Sequence, residues 1–370
     1  MGDRKYRPVY MLICMGLILM IVIMNYSFNV IWYIQNRIYE NAVKTLFPVE
    51  TFIEEEKEDN SGSVWADSEY VFGMLQEEKD PATKTDGGVV EAGAGVVNEQ
   101  PGISSEIPGT VYNMTDLTNY NFLMGFYTVT SITSLTQDIM RPAEFLAKDL
   151  SLEKNPDAPQ ILIFHTHSQE GFTDTVEGDT STTIVGVGDY LAELLTNTYG
   201  YNVYHDTTVY DYVDGKLDRS KAYTYAEENV AKILEANPTI EVVIDLHRDG
   251  VDDSTRLVTE VNGVSMAKVM LFNGISYSKT KGDIGYLYNP NRDDNLAMSL
   301  QMYLLGQEYY PGYLRKIYIN AYRYCLHLKG RSMLVEAGAQ TNTSTEVKNA
   351  MVPLADMLDR LLKGEKAYQG

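Results

Sequence analysis

Ile161-Leu162-Ile163-Phe164 is an apolar run that ends abruptly in His165-Thr166-His167-Ser168-Gln169-Glu170. An unbroken apolar run fits a strand covered on both faces, as in parallel α/β sheets, whereas a half-exposed strand would alternate. Two imidazoles and a carboxylate follow directly. Alternation along an extended chain predicts His165 and His167 on one face and Thr166 on the other. Imidazole nitrogen and carboxylate oxygen suit zinc, which in catalytic sites keeps a position open for water. Taken alone, a His-x-His pair is explained equally well by a cluster that only makes hydrogen bonds.

The theme recurs. Ile240-Glu241-Val242-Val243-Ile244-Asp245-Leu246-His247-Arg248-Asp249 is a second apolar run, ending in His, Arg and Asp, and Met333-Leu334-Val335-Glu336-Ala337-Gly338 delivers a carboxylate at the equivalent place. In open α/β sheets functional residues gather beyond the carboxyl ends of strands, so these ends predict a shared crevice. Of the 5 histidines, His205 and His327 fall where a structural role is the better reading. Arg248 is a candidate for holding a substrate carboxylate or an oxyanion, with an ion pair to Asp249 or Asp245 as the alternative.

The elements between these runs give the fold class. Pro142 suits the first turn of a helix over Ala143–Lys148. Val185-Gly186-Val187-Gly188-Asp189 leads into a helix with Tyr190, Leu191, Leu194 and Leu195 on one stripe and Gly200 as its cap. Tyr201–His205 reads as a strand, and a helix from about Lys221 to Glu235 stops at Asn237-Pro238. Leu257–Glu260 and Ala267–Phe272 read as strands, Asn295–Glu308 as a helix, and Glu346–Leu362 as an amphipathic helix with Thr345 as N-cap. Strand and helix in alternation predict an α/β fold: a mostly parallel open sheet flanked by helices.

The N-terminal third reads differently. Arg4, Lys5 and Arg7 precede an uncharged stretch from Val9 that extends through Phe28, close to the ~20 residues that cross a bilayer. No small-residue cleavage site follows, so the expectation is an uncleaved transmembrane anchor. Basic residues before it and acidic ones after it predict a cytoplasmic N-terminus at 1–8, a span at 9–28 and an extracytoplasmic remainder. Residues 29–111 read as a short stalk followed by a flexible acidic tether, and 112–370 as the folded domain. A net charge of -21 without a basic run argues against nucleic acid as a partner. Cys14 and Cys325 are the two cysteines, and with Cys14 in the apolar segment no intramolecular disulfide is expected.

The motifs His165-Thr166-His167-Ser168-Gln169-Glu170, Asp245-Leu246-His247-Arg248-Asp249 and Glu336-Ala337-Gly338-Ala339-Gln340-Thr341-Asn342-Thr343, with Tyr309-Tyr310-Pro311-Gly312, together resemble the stage II sporulation protein P family of endospore-forming bacteria. The resemblance runs from about Asp116 to the C-terminus. It implies a domain similar to zinc-dependent N-acetylmuramoyl-L-alanine amidases, and a cell-wall hydrolase with amidase and endopeptidase activity in septal wall degradation and forespore engulfment. It further implies Zn2+ held by His167, Glu170 and His247, with His165 as alternative first ligand or as a residue orienting one, and Glu336 as acid/base. The implied partners are peptidoglycan and stage II sporulation proteins D and M, and the implied location is the mother-cell membrane at the sporulation septum. Gly171 and Ala337 depart from the family pattern, where a hydroxyl residue and Gly are more usual. Other readings are a zinc endopeptidase only, a serine hydrolase using Ser168, which lacks a Gly-x-Ser-x-Gly elbow, and an inactive wall-binding scaffold.

Overall fold

The computed structural model describes residues 108–213, 216–219 and 221–369. Seven strands form one sheet: β1 (Tyr127–Val129), β2 (Ile161–Phe164), β3 (Val203–His205), β4 (Val242–Asp249), β5 (Val269–Gly274), β6 (Ile317–Asn320) and β7 (Arg331–Ala339). Their order across the sheet is β1-β6-β5-β7-β4-β2-β3. Neighbours are parallel throughout except β5 with β7, which are antiparallel. The mostly parallel sheet is therefore present, with one reversal at its middle. β1 and β6 have no counterpart in the sequence expectation.

Alternation along the strands sorts the core into two unequal sides. Ile161 and Ile163 of β2, Val242, Ile244 and Leu246 of β4, and Met333, Val335 and Ala337 of β7 share one large core. Helices α1 (Ile184–Glu193), α3 (Arg292–Tyr309) and α4 (Ser344–Leu362) cover that side. On the other side, Leu162, Phe164 and Val243 pack under α2 (Ala222–Ala236), and Met270, Phe272 and Leu334 form a smaller cluster with Tyr318 and Leu326. Asp245, His247 and Asp249 continue the alternation of Val243, and Glu336 that of Leu334, so the polar strand ends belong to the thinner side.

Local chemistry moves two helix starts away from the sequence expectation. α4 is capped by Thr343, not Thr345: the Glu346 N–H donates to Thr343 Oγ1, and the Glu346 carboxylate accepts from the Thr343 N–H at 3.0 Å. That reciprocal pair satisfies two of the helix's orphan donors, which Thr345 could not do from inside the first turn. α1 begins at Ile184, so Gly186 and Gly188 lie within it and not before it. Both are there for close approach. A Cβ on Gly186 would stand 2.1 Å from the Ser181 carbonyl oxygen, and one on Gly188 would stand 2.6 Å from His165 Nε2. A further hairpin, Val258–Val261 with Val264–Ala267, turns through Asn262 and Gly263, both at positive φ, the pairing that tight two-residue hairpin turns favour.

The membrane location requires correction. Among the described residues no helix is long and apolar enough to cross a membrane. α4, at 19 residues, carries Glu346, Lys348, Asp356, Asp359 and Arg360, and its apolar stripe is already occupied by the sheet core. The single-pass arrangement is therefore not carried forward. The expected span at 9–28 lies outside the described residues, as does the expected tether except for 108–111.

Gly186→Ala should destabilise the domain even though alanine favours a helix interior by about 1 kcal/mol, because the carbonyl it would strike is backbone and cannot turn aside. A net loss of roughly 1–3 kcal/mol in urea unfolding is expected. Gly125→Ala, where nothing lies within 4 Å of the added carbon, should change stability by less than about 0.5 kcal/mol. Equal effects at both positions would contradict the close-approach explanation.

Candidate functional site

β2 stops at Phe164, and residues 166–169 form a turn. Strand alternation therefore does not extend to His167, and the two histidines face different surroundings, contrary to the sequence expectation. His165 keeps the α1 side. Its Nδ1–H donates to the Leu246 carbonyl at 2.7 Å, which leaves Nε2 to face His205 Nε2 at 2.9 Å. His205 Nδ1 in turn lies 2.9 Å from Asp189 on α1. Thr166 faces the other side, where its N–H and Oγ1–H donate to Asp245 Oδ1 at 3.0 Å and Oδ2 at 2.7 Å.

The turn carries His167 and Glu170 towards β4. The His167 and His247 rings meet edge to face with centroids 5.0 Å apart. Glu170 lies between them: Oε1 is 3.5 Å from His167 Nδ1, and Oε2 is 3.5 Å from His247 Nδ1. Candidate ligand atoms of His167, Glu170 and His247 all fall within 4.8 Å of one another, and all three residues are buried. The Arg248 N–H donates to Glu170 Oε2 at 2.9 Å, and Arg219 approaches Oε1 at 3.8 Å. Behind His247, Asp245 Oδ1 lies 2.7 Å from Nε2, close enough for an ion pair although out of line for a straight hydrogen bond.

This donor set fits zinc. Two ligand atoms about 2.0–2.1 Å from one tetrahedral ion stand roughly 3.3 Å apart, and here each imidazole lies 3.5 Å from one Glu170 oxygen, within a cluster whose candidate ligand atoms span at most 4.8 Å. His247 turns Nδ1 to Glu170 and lays Nε2 against the Asp245 carboxylate, the side from which a carboxylate steadies a metal-bound imidazole. The cluster opens on a cavity of about 30 Å³ lined also by Tyr223, Tyr324, Arg248, Asp249 and Glu336, enough for an ion or a water.

Glu336 sits on β7 in register with His247 on β4. It is buried, and its Oε2 has no hydrogen-bond partner. Burial, reinforced by the charges of Asp249 and Glu170, pushes its pKa up to about 8 although His247 pulls the other way. Burial would raise Glu170 too, but His247 and the contacts from both histidines hold it well below the usual carboxylate range. His247 moves oppositely: burial opposes its charge, while Asp245 and Glu170 lift it well above an ordinary imidazole.

Arg248 donates from Nε to the Gly171 carbonyl at 3.1 Å and from Nη1 to the Asp249 carbonyl at 3.2 Å. The Asp249 carboxylate pairs with Arg315 and that of Asp245 with His247. Ser168 donates to Asp211 at 2.9 Å, with no imidazole among its hydrogen-bond partners. His327 lies 3.2 Å from Glu227, away from the cluster. A side chain at Gly171 would strike Thr175 at 2.9 Å, and Ala337 is fully buried in the sheet. Sequence reasoning missed Tyr223, stacked on His247 at 6.4 Å, Arg219, and the role of Asp245. Only Asp245 left a signal, as a carboxylate within an apolar strand two residues before a histidine.

His165 supplies a pH test. Burial, then the neighbouring His205, lowers its pKa to about 4, so the unfolded state takes up its proton first, near pH 6.5. Its contribution to stability is complete above pH 6.5 and is lost as pH falls towards 4. The unfolding free energy of the wild type relative to His165→Gln should shrink by roughly 3 kcal/mol over that window. A pH-independent difference would contradict the buried neutral histidine.

The family model described as Stage II sporulation protein P (SpoIIP) matches residues 43–359. The stage II sporulation protein P of Bacillus subtilis (strain 168) is 22% identical over 228 residues, covering 58% of this chain and 54% of that protein. The chain thus spans about half the length of that relative. Among solved structures it is similar to the N-acetylmuramyl-L-alanine amidase Ami1 from Mycobacterium smegmatis, at 12% identity over 56% of this chain and 99% of that one, with a TM-score of 0.35. It is also similar to the CwlD amidase from Clostridioides difficile in complex with the GerS lipoprotein, at 15% identity over 56% and 100% of the two chains, with a TM-score of 0.31. His167, Glu170, His247 and Glu336 all fall inside the region that the family model matches, and the chain belongs to the stage II sporulation protein P family.

Proposed function

We propose that the chain is a peptidoglycan hydrolase of sporulation that cleaves the amide between N-acetylmuramic acid and L-Ala of the stem peptide. In the same reading it also cuts peptide cross-links, and it acts in septal wall degradation and forespore engulfment with stage II sporulation proteins D and M as partners. The observation that carries this reading is a buried cluster of two imidazoles and one carboxylate sharing a cavity with a second carboxylate of opposite pKa shift.

His167, Glu170 and His247 would hold Zn2+, with Asp245 fixing the His247 ring. When bound, zinc supplies Lewis acidity for a carbonyl oxygen and lowers the pKa of a water. Glu336 takes a proton from the attacking water and hands it to the leaving nitrogen. Burial raises the Glu336 pKa in the metal-free cluster, and a bound cation would draw it back down towards the range in which a carboxyl group can take a proton and return it. His165, held by Leu246 and His205, stands behind the turn as a support and not as a ligand. Arg248 braces the Glu170 loop through its backbone N–H to Glu170 and its Nε–H to the Gly171 carbonyl, and we assign it that role in place of an oxyanion contact. An endopeptidase-only enzyme is the second reading, since the same groups hydrolyse any amide that reaches them. A scaffold without catalysis would call for a missing ligand or carboxylate, and none is missing.

Purified protein should contain about one zinc per chain. His167→Ala and His247→Ala should lose metal and activity together, and His165→Ala should retain metal. Glu336→Gln should keep the metal and lose roughly 10²- to 10⁴-fold in rate. Freed lactyl ends on the glycan would identify the amidase, and new peptide amino ends the endopeptidase. Wild-type protein that is metal-free and still cleaves peptidoglycan in chelator would overturn the reading.

A further inference from the structure

Asp249 ends β4 on the same face as His247, and its carboxylate is only half accounted for. It is 2% exposed. Oδ2 is paired with Arg315, whose side chain reaches solvent, while Oδ1 has no hydrogen-bond partner. Asp249 lines the same cavity as Glu336, where Oε2 is also without a partner. The ion pair explains how the charge is tolerated. It does not explain the second oxygen, since a buried acceptor without a donor is a standing cost.

The metal-type cluster does not supply the missing partner, because it comprises His167, Glu170 and His247. Whatever satisfies Oδ1 enters the cavity and brings a donor. The reaction proposed above brings two donors into this cavity: the attacking water, whose proton goes to Glu336, and the N–H of the scissile amide, which Glu336 cannot accept while it protonates the same nitrogen. For the C–N bond to break, that nitrogen must become pyramidal and receive a proton on its lone pair. The N–H it already carries points away from that lone pair. A carboxylate accepting this N–H would turn the lone pair towards a proton donor on the other side of the nitrogen.

Resting on that reading of the site, we propose that Asp249 is a substrate-positioning residue whose Oδ1 accepts the N–H of the scissile amide while Glu336 protonates the same nitrogen. The balance is simple. Water loses one proton to Glu336 and adds its oxygen to the carbonyl carbon; the C–N bond breaks as Glu336 returns that proton to nitrogen. The N–H held by Asp249 stays on the nitrogen throughout and leaves with the amine. Arg315 keeps Asp249 in place and does not touch the substrate.

The test compares two substrates on the full-length, zinc-loaded protein: a muramoyl-L-alanyl peptide, and its ester analogue in which the scissile N–H is replaced by oxygen. Asp249→Asn should lower kcat/KM for the amide roughly 10- to 100-fold, the worth of one hydrogen bond to a charged acceptor. It should change the ester less than about 3-fold, since the ester offers no N–H, and zinc content should be unchanged. If leaving Arg315 unpaired prevents folding, Asp249→Asn with Arg315→Gln gives a neutral pair of similar shape and must produce the same amide-to-ester difference. Equal losses on both substrates would overturn the inference in favour of a purely structural Asp249, and so would no loss on the amide. Failure of this inference is distinguishable from failure of the function: a wild type that cleaves the amide, with Glu336→Gln inactive and Asp249→Asn normal, removes only Asp249, whereas a wild type that cleaves neither substrate removes both.

Discussion

The site depends on one buried carboxylate, Asp245. It is 2% exposed, yet it stays ionised: burial pushes its pKa up, but His247 and the Thr166 bonds outweigh that and bring it below the usual value. From β4 it receives Thr166 through both backbone and hydroxyl and faces His247 with one of the same oxygens. One side chain therefore fastens the turn after β2 to the strand that carries the second imidazole. With the bonds from Arg248 to Glu170 and Gly171 it holds the turn against β4, and a buried charge network that loses one member costs more than the sum of its bonds suggests.

The sheet provides what Asp245 cannot. Parallel pairing brings the ends of β2, β4 and β7 to one edge, and the register sets Glu336 beside His247. Alternation then keeps both on the thinner side, where α2 and the Tyr324 loop leave a cavity in place of a filled core. The same burial acts on two carboxylates with opposite outcomes. Glu170, between two imidazoles, is held ionised as a ligand would be, while Glu336, beside Asp249, is pushed up to about 8 and kept able to carry a proton. That separation is what the roles proposed for the two carboxylates, holding and proton transfer, require.

Much of this was legible in the residues. The apolar runs before His165, His247 and Glu336 announce buried strands, and functional groups at their carboxyl ends follow from how open sheets are built. What was not legible has physical causes. His165 and His167 look equivalent because two-residue alternation is all a sequence shows, whereas the strand ends one residue before them and the turn reverses His167. Thr345 as N-cap of a helix from Glu346 competes with Thr343, and the capping box that Thr343 forms with Glu346 three residues later decides between them. Asn262-Gly263 is likewise a local hairpin signal, and it closes the turn between Val258–Val261 and Val264–Ala267. Arg219, Arg315 and Tyr223 reach the site from separate segments, and no local pattern marks them.

His167, Glu170 and His247, without His165, are the residues proposed to hold the metal. Anomalous scattering from a crystal of the protein, recorded on either side of the zinc absorption edge, tests that assignment most directly. The account predicts one peak per chain, about 2.0–2.2 Å from a nitrogen of each of His167 and His247 and from a Glu170 oxygen, with none between His165 and His205. A peak bound by His165, or a cluster that stays without an anomalous signal in a zinc-containing crystal, would contradict it.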